Sequence, residues 1–392
     1  MNKKLSMAVA GAVMAMGASA ANAGITIPAG DWTIDIGGNV NAFYTKYDGD
    51  ADAAYGTGGA GTLVAGATEG DTQNIRTGLL PSAIGIGGKT RQNDLDVAFQ
   101  FTFFVGSDDN NDGQALGGNS INIRQAYMTF GDKSWGTIKL GRDLGIFGSD
   151  AILSDMTLLG VGGGAGGSGG SSTLGRIGNG YLYADWVGQI SYASPNWNGF
   201  SFAVGARDPW GGDNGGFSDN HENDTLGFEG KVSYEWAGDV AGKVWAGYIH
   251  QKIDSLDGTN DYDADAYEVG GKVSVAGFGF VASWQDGEGQ GDAGFGINGS
   301  NLAGDELDSQ NWYVQGTYAL PTIGTKIGLS YGETEVEFDN GDAESESWIA
   351  GVYHPLTKSV NLVAEYTDID SEDSLGREAD SKTVAIGAIM FF

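Results

Sequence analysis

The chain finishes on SKTVAIGAIMFF, residues Ser381 to Phe392. Successive side chains of an extended strand point to opposite faces. Val384, Ile386, Ala388, Met390 and Phe392 therefore share one face, and Thr383, Ala385, Gly387, Ile389 and Phe391 the other. The first face is apolar throughout, whereas the second is smaller and mixed. Such a strand suits a wall between an apolar solvent and a roomier interior. An aromatic last residue with no polar tail calls for a fold in which the chain end is part of that wall.

The same period recurs outward from this strand. In LGFEGKVSYEW, Leu226, Phe228, Gly230, Val232, Tyr234 and Trp236 alternate with Glu229, Lys231, Ser233 and Glu235. In YEVGGKVSV, Tyr267, Val269, Gly271, Val273 and Val275 alternate with Glu268, Lys272 and Ser274. A charge facing lipid at mid-bilayer costs about 2–4 kcal/mol, so the charged parity faces water.

Runs of this kind predict strands over 32–46, 74–88, 93–106, 120–131, 135–142, 185–194, 198–207, 224–236, 240–253, 263–275, 277–286, 310–320, 323–334, 345–353, 358–368 and 380–392, sixteen in all. Their connections alternate between short turns (GDKS, SPNWNG, WAGD, LPTIG, YHPLTK) and long polar stretches. The long ones are YDGDADAAYGTGGAGTLVAGATEGDT, GSDDNNDGQALGGN, QDGEGQGDAGFGINGSNLAGDELDSQ and GETEVEFDNGDAESES, and they carry most of the surplus acid. Short turns on one side and long loops on the other are the habit of bacterial outer-membrane barrels. The predicted fold is all-β, a transmembrane antiparallel β-barrel of sixteen strands. Its last strand should pair with the first, WTIDIGGNVNAFY, so that no edge lies open in lipid.

The N-terminus reads as a leader. Lys3 and Lys4 precede an apolar run from Leu5 to about Ala18, and Ala21-Asn22-Ala23 is a small-x-small cleavage site. Residues 1–23 are therefore expected to be a signal peptide and 24–392 one exported barrel domain. The net charge is −31 over 392 residues, and the leader contributes two lysines and no acid, which sets nucleic-acid binding aside. No later window offers the roughly 18–20 consecutive apolar residues of a membrane helix. There is no cysteine, hence no disulfide framework and no thiolate metal site. The 69 glycines against 6 prolines favour many strands and turns, and the 43 aromatics suit interfacial girdles.

Four stretches, PSAIGIGGKT, NIRQAYMTFGDKSWGTIKLGRD, ADWVGQISYASPNWNGFSFAV and the terminal Phe392, make the chain resemble the general porins of Gram-negative outer membranes over essentially the whole sequence after the leader. The resemblance implies a homotrimer of sixteen-stranded channels, in contact with lipopolysaccharide, whose terminal aromatic helps the barrel-assembly machinery to recognise the chain. It also implies a third loop folded into the lumen, the place taken here by RDLGIFGSDAILSDMTLLGVGGGAGGSGGSSTLGRIGNG. In that family basic wall residues face acids on this loop. Carried over by position, Arg124 and Arg142 match wall arginines and Asp155 matches the loop's Asp-Met step. Asn39 stands where the family commonly has Lys, and Ala83 and Asp185 stand where it has Arg. The acidic sequence after the Asp-Met step is replaced by LGVGG. The constriction expected from Arg124, Arg142, Asp155, Asp185, Asn39 and Ala83 is thus short of cations.

The residues offer three other chemistries. Catalysis would have to use His221, His250 or His354, none in a motif context. A calcium site would use Asp108, Asn110 and Asp112 before Gly113, but Asn119 stands where such a loop needs a bidentate Glu. A sugar-selective channel would stack solute on Phe43, Tyr181, Tyr183 and Trp210. The expectation is a passive diffusion channel for small hydrophilic solutes and ions, cation-selective and without a cofactor.

Overall fold

The computed structural model describes residues 24–55, 69–106, 121–166, 172–209, 221–222, 225–255, 261–289, 306–338 and 340–392. The expected leader, the calcium candidates Asp108, Asn110 and Asp112, and Trp210 lie outside these residues. No described helix is long and apolar enough to cross a membrane.

Nineteen β-segments form one antiparallel sheet, and three of them are pieces of neighbouring strands, which leaves a closed barrel of sixteen. The strands are β1 (Trp32–Ala51), β2 (Gly70–Arg76 and Ser82–Gln92), β3 (Leu95–Val105), β4 (Asn122–Asp132), β5 (Gly136–Leu144) and β6 (Trp186–Ala193). They continue as β7 (Phe200–Arg207), β8 (His221–Glu222 and Gly227–Trp236), β9 (Val240–Ser255), β10 (Tyr262–Val275) and β11 (Phe278–Glu288). The last five are β12 (Asp308–Ala319), β13 (Lys326–Phe338), β14 (Gly341–Pro355), β15 (Val360–Glu372) and β16 (Glu378–Phe391).

Closure follows the terminal stretch. β16 pairs with β1 from Ala379↔Ala51 to Phe391↔Asn39. Beyond it, Phe392 N–H donates to Gly38 O (3.1 Å) and Gly38 N–H to Phe392 O (2.9 Å). The N-terminal segment Ile25–Ala29 then continues along β1, from Ile25↔Ile36 to Ala29↔Trp32. The segment Ile25–Ala29 and β16 thus make one stave. Val384, Ile386 and Met390 are exposed while Thr383, Ala385 and Ile389 are buried, as the alternation requires. On β8 the outward residues Phe228, Val232 and Tyr234 are exposed and Glu229 is buried inside.

The tightest turns have a local cause. Asn93 and Asp94 (φ 46° and 64°) and Ala276 and Gly277 (φ 48° and 87°) are left-handed pairs. Two-residue loops of this hand match the right-handed twist of the strands they join.

Two expectations are corrected. GETEVEFDNGDAESES is not a long loop: β13 and β14 stay paired out to Phe338↔Gly341. Its acids alternate with inward Thr334, Val336, Ala343 and Ser345, so the period of two persists beneath the acidity. Second, β2 is interrupted at 77–81, where Pro81 has no N–H to give a ladder and Leu79 N–H donates instead to Gly160 O in the third loop (3.0 Å).

An outward row of Tyr248, Tyr267, Trp284, Trp312, Tyr331, Trp348 and Tyr366 crosses β9–β15, and Tyr44 adds to it on β1. Neighbouring rings touch, with centroids 4.9 Å apart for Tyr248–Tyr267 and 4.6 Å for Tyr331–Trp348. Aromatic rings at this height mark the membrane–water interface. On the long-loop side of the row the same faces turn acidic, with Glu333↔Glu346, Glu335↔Glu344 and Glu346↔Asp370 directly opposite in register.

Candidate functional site

The third loop, between β5 and β6, lies inside the barrel. It carries a four-residue helix, α1 (Ser149–Ile152), and a 3-10 turn at Met156–Leu159. Ile152, Met156, Leu158, Val161, Ile177 and Tyr181 form one apolar cluster with wall residues that include Phe43, Phe104, Trp186, Tyr313, Ile349 and Ile389. These are the apolar anchors that a freely solvated Gly/Ser loop has no use for.

Polar contacts fix the loop on several strands. Phe147 N–H donates to Glu229 on β8 (3.1 Å), and that carboxylate also faces Arg207 of β7 at 3.8 Å. Leu182 N–H donates to Gln285 on β11 (2.6 Å), Met156 N–H to Gln315 on β12 (2.7 Å) and Gly180 N–H to Thr334 on β13 (3.0 Å). Glu365 on β15 accepts from the N–H groups of Val161 (2.7 Å) and Gly162 (2.9 Å). Gly160 makes that approach feasible, because a Cβ there would stand 2.0 Å from the Glu365 carboxylate.

Two charged groups hold the ends of this arrangement. Asp150 on α1 is gripped by Lys231 of β8 (2.8 Å) and by Lys243 of β9. Burial alone would raise its pKa, but the two lysines hold the carboxyl well below the usual carboxylate range. Arg176, wholly buried, donates to Ser330 of β13 (2.7 Å), Ser347 of β14 (2.9 Å) and Asn179 O (3.2 Å). Burial pulls its guanidinium down to about 10, partly opposed by Asp155.

The six constriction candidates fall into two groups. Arg124, Arg142 and Asp185 all act electrostatically on Tyr183. Burial pushes the Tyr183 phenol up to about 12; Arg124 and Arg142 oppose that shift, and Asp185 adds to it. Arg124 is the extra residue of a β-bulge, since Thr102 pairs with Gln125 and Phe103 with Ile123. A bulge re-aims a side chain, and this one sets the guanidinium 5.0 Å from the centre of the Phe104 ring. Arg142 follows Gly141, whose φ of +121° and close approach to Ala126 O exclude a side chain, and it is exposed. Asp185 is itself left-handed (φ 56°) and accepts from Trp186 N–H (2.6 Å).

The other three are packing residues. Asn39 and Ala83 face each other across β1 and β2, both buried, and Asn39 accepts from Asn41 Nδ2 (3.0 Å). Asp155 is buried within the loop, where it accepts from Thr157 N–H (2.9 Å) and Tyr181 O–H (2.8 Å). Of the suggested sugar-stacking rings, Phe43 and Tyr181 are buried in the apolar cluster and are not available to a solute. His250 contacts Asp265 (3.1 Å) and His354 contacts the Thr325 hydroxyl (2.8 Å).

Sequence reasoning had placed Glu229, Lys231, Glu268 and Lys272 on the inward parity without connecting them to the loop. Lys139 was overlooked: with Asp143, Gln125 and Thr102 it forms a polar chain along the inside of β3–β5. Among the described residues Glu333, Glu344 and Glu346 bring carboxylate oxygens within 4.8 Å of one another, but on the outward face, away from the lumen. Exposed acids are commonly grouped in this way without an ion.

Comparison with known proteins fits this architecture. Among solved structures the chain is similar to DcaP, an outer-membrane channel of Acinetobacter baumannii (16% identity, 94% of this chain and 100% of that one, TM-score 0.70). It is also similar to an anion-selective porin of Comamonas acidovorans (15%, 92% and 100%, TM-score 0.65) and to OmpT of Vibrio cholerae in a trimer form (15%, 92% and 99%, TM-score 0.54). No curated protein sequence matches. The sequence pattern of the Gram-negative porins matches residues 8–374. With its closed barrel and inward third loop, the chain belongs to the Gram-negative porin family and is a passive channel of the outer membrane.

Proposed function

We propose that the protein is a non-specific, homotrimeric diffusion channel for small hydrophilic solutes and ions, without catalytic chemistry or a cofactor, and cation-preferring at its outer mouth. The observation that carries this is the third loop folded across the lumen, with Arg124, Arg142 and Asp185 acting on Tyr183 where loop and wall meet. Solutes move down their gradients past these charges.

The cation preference rests on the acid that fills the long-loop side of β9–β16, since a negative mouth raises local cation concentration. Asp185 adds to it, and Arg124 and Arg142 oppose it. Trimerisation is supported by the outer surface. The interfacial Tyr and Trp row covers β9–β15 and β1, whereas the outward faces of β2–β4 carry Ile84, Ile86, Phe101, Ile123 and Met128, an apolar face suited to a neighbouring subunit. The trimer form described for the Vibrio cholerae protein agrees with this. The acidic faces would meet lipopolysaccharide, and Phe392 is the residue offered to the assembly machinery.

Purified protein in a planar bilayer tests the proposal. Stepwise insertions with linear current at low voltage are expected, with a reversal potential of cation-selective sign in a KCl gradient. Silence at high protein concentration would sink the channel reading, and an anion-selective sign would sink the mouth argument alone.

A further inference from the structure

On the short-turn side of α1, three lysines from adjacent strands converge on the inner wall. Lys231 Nζ donates to Asp150 (2.8 Å) and to Ser149 Oγ (2.7 Å), and Lys243 Nζ donates to the other oxygen of Asp150. Lys272 stands directly opposite Lys243 in the β9–β10 register and reaches Ser154 Oγ at 3.4 Å.

Three carboxylates face this group. Both oxygens of Asp150 are taken by Lys231 and Lys243. Glu268 is buried behind α1, where it accepts from Gln285 (3.4 Å) and the Gly148 backbone. Glu235 lies across from Lys243 on its far side, so it is two strands, about 10 Å, from Lys272. Lys272 is exposed, and among the described residues it has no ion-pair partner. Like charges directly opposite in a sheet destabilise it, and while Asp150 and Glu235 compensate Lys243, no described carboxylate pairs with Lys272. An anion seated between them would.

We infer that Lys272, Lys243 and Lys231, with Ser154, form an anion site on the inner wall of the channel, suited to a small oxyanion of the phosphate type. An ammonium is a compact charge with three donors, and two or three of them can share the oxygens of a tetrahedral ion while the serine hydroxyl adds a further hydrogen bond. The strongly acidic composition hides this basic patch, because most of the acid lies on other faces. The site rests on the channel reading for its role: anions entering from the short-turn side are held at a step that the acidic mouth does not control.

Two measurements test it, one of which needs no current. Isothermal titration of the full-length, detergent-purified barrel with inorganic phosphate at low salt should show binding that weakens at least several-fold in Lys272→Gln and is unchanged in Lys358→Gln, an exposed lysine outside the cluster. In bilayers, phosphate added on the short-turn side should reduce the open-channel KCl current, less so in Lys272→Gln, and more effectively than from the opposite side. Equal phosphate affinity in wild type and Lys272→Gln, or no binding in wild type, would overturn the site whatever the bilayer shows. Silence in KCl alongside Lys272-dependent binding would overturn the channel and leave the site standing.

Discussion

Asp150 holds the loop because two ammoniums share one buried carboxylate. Breaking a buried pair by removing one partner costs about 3–5 kcal/mol, since the other charges stay behind. Asp150→Asn should therefore loosen the start of the loop, seen as noisier single-channel current and a lower temperature of barrel unfolding on heated gels. The sign of the acid dependence follows from the depressed carboxyl. Its stabilisation is present above the ordinary carboxylate value and is lost only as pH falls through the depressed one. Mild acid should thus leave current noise in wild type unchanged, and a rise in noise near the ordinary Asp value of about 3.9 would contradict the assignment. Within the passage, Asp185→Arg should reduce cation preference at every salt concentration, and an unaltered reversal potential would remove Asp185 from the conducting path. Arg124, Arg142 and Asp185 were singled out because each sits in a stretch that resembles known porins. Asn39 and Ala83 came from equally good positional matches, yet neutral side chains opposite a packed loop become core. Which of the two a position becomes depends on contacts between distant strands, which the sequence does not display.

The strands themselves were legible one by one. Each separates a wet face from a dry one, so alternation survives wherever the bilayer enforces it. It was lost to view at β13 and β14, where Glu333, Glu335, Glu344 and Glu346 point outward beyond the aromatic row. Acid carries no lipid penalty at that height, and a composition that imitates a loop is in fact a paired hairpin. The third loop was placed in the lumen by the resemblance to porins, but its partners Glu365, Gln285 and Thr334 lie on strands over a hundred residues away. Deleting residues 164–173 should raise single-channel conductance and admit larger sugars in liposome swelling. Unchanged conductance in a barrel that still forms heat-resistant trimers would mean that this stretch leaves the passage clear.

For the whole molecule, charge is sorted by place: acid toward the long loops, bases on the inner wall beneath α1. A field from exposed acids is screened over about 10 Å at 0.1 M salt, whereas charges lining a narrow passage act at contact range. Cation preference in a KCl gradient should be largest at low salt and decline above about 0.1 M. A preference that stays constant across that range would assign selectivity to the passage alone.

The stave shared by Ile25–Ala29 and β16 has a bearing on how the barrel is manufactured. On that side residues Asn39–Ala51 of β1 pair with β16, and the hydrogen bonds exchanged by Phe392 and Gly38 join β16 to the segment Ile25–Ala29 along the same strand. Without β16 that length of β1 would be an open edge in lipid. Removing Phe392 should lower the yield of heat-resistant trimer more than its small share of buried area suggests, with the unsealed chains passing to periplasmic proteases.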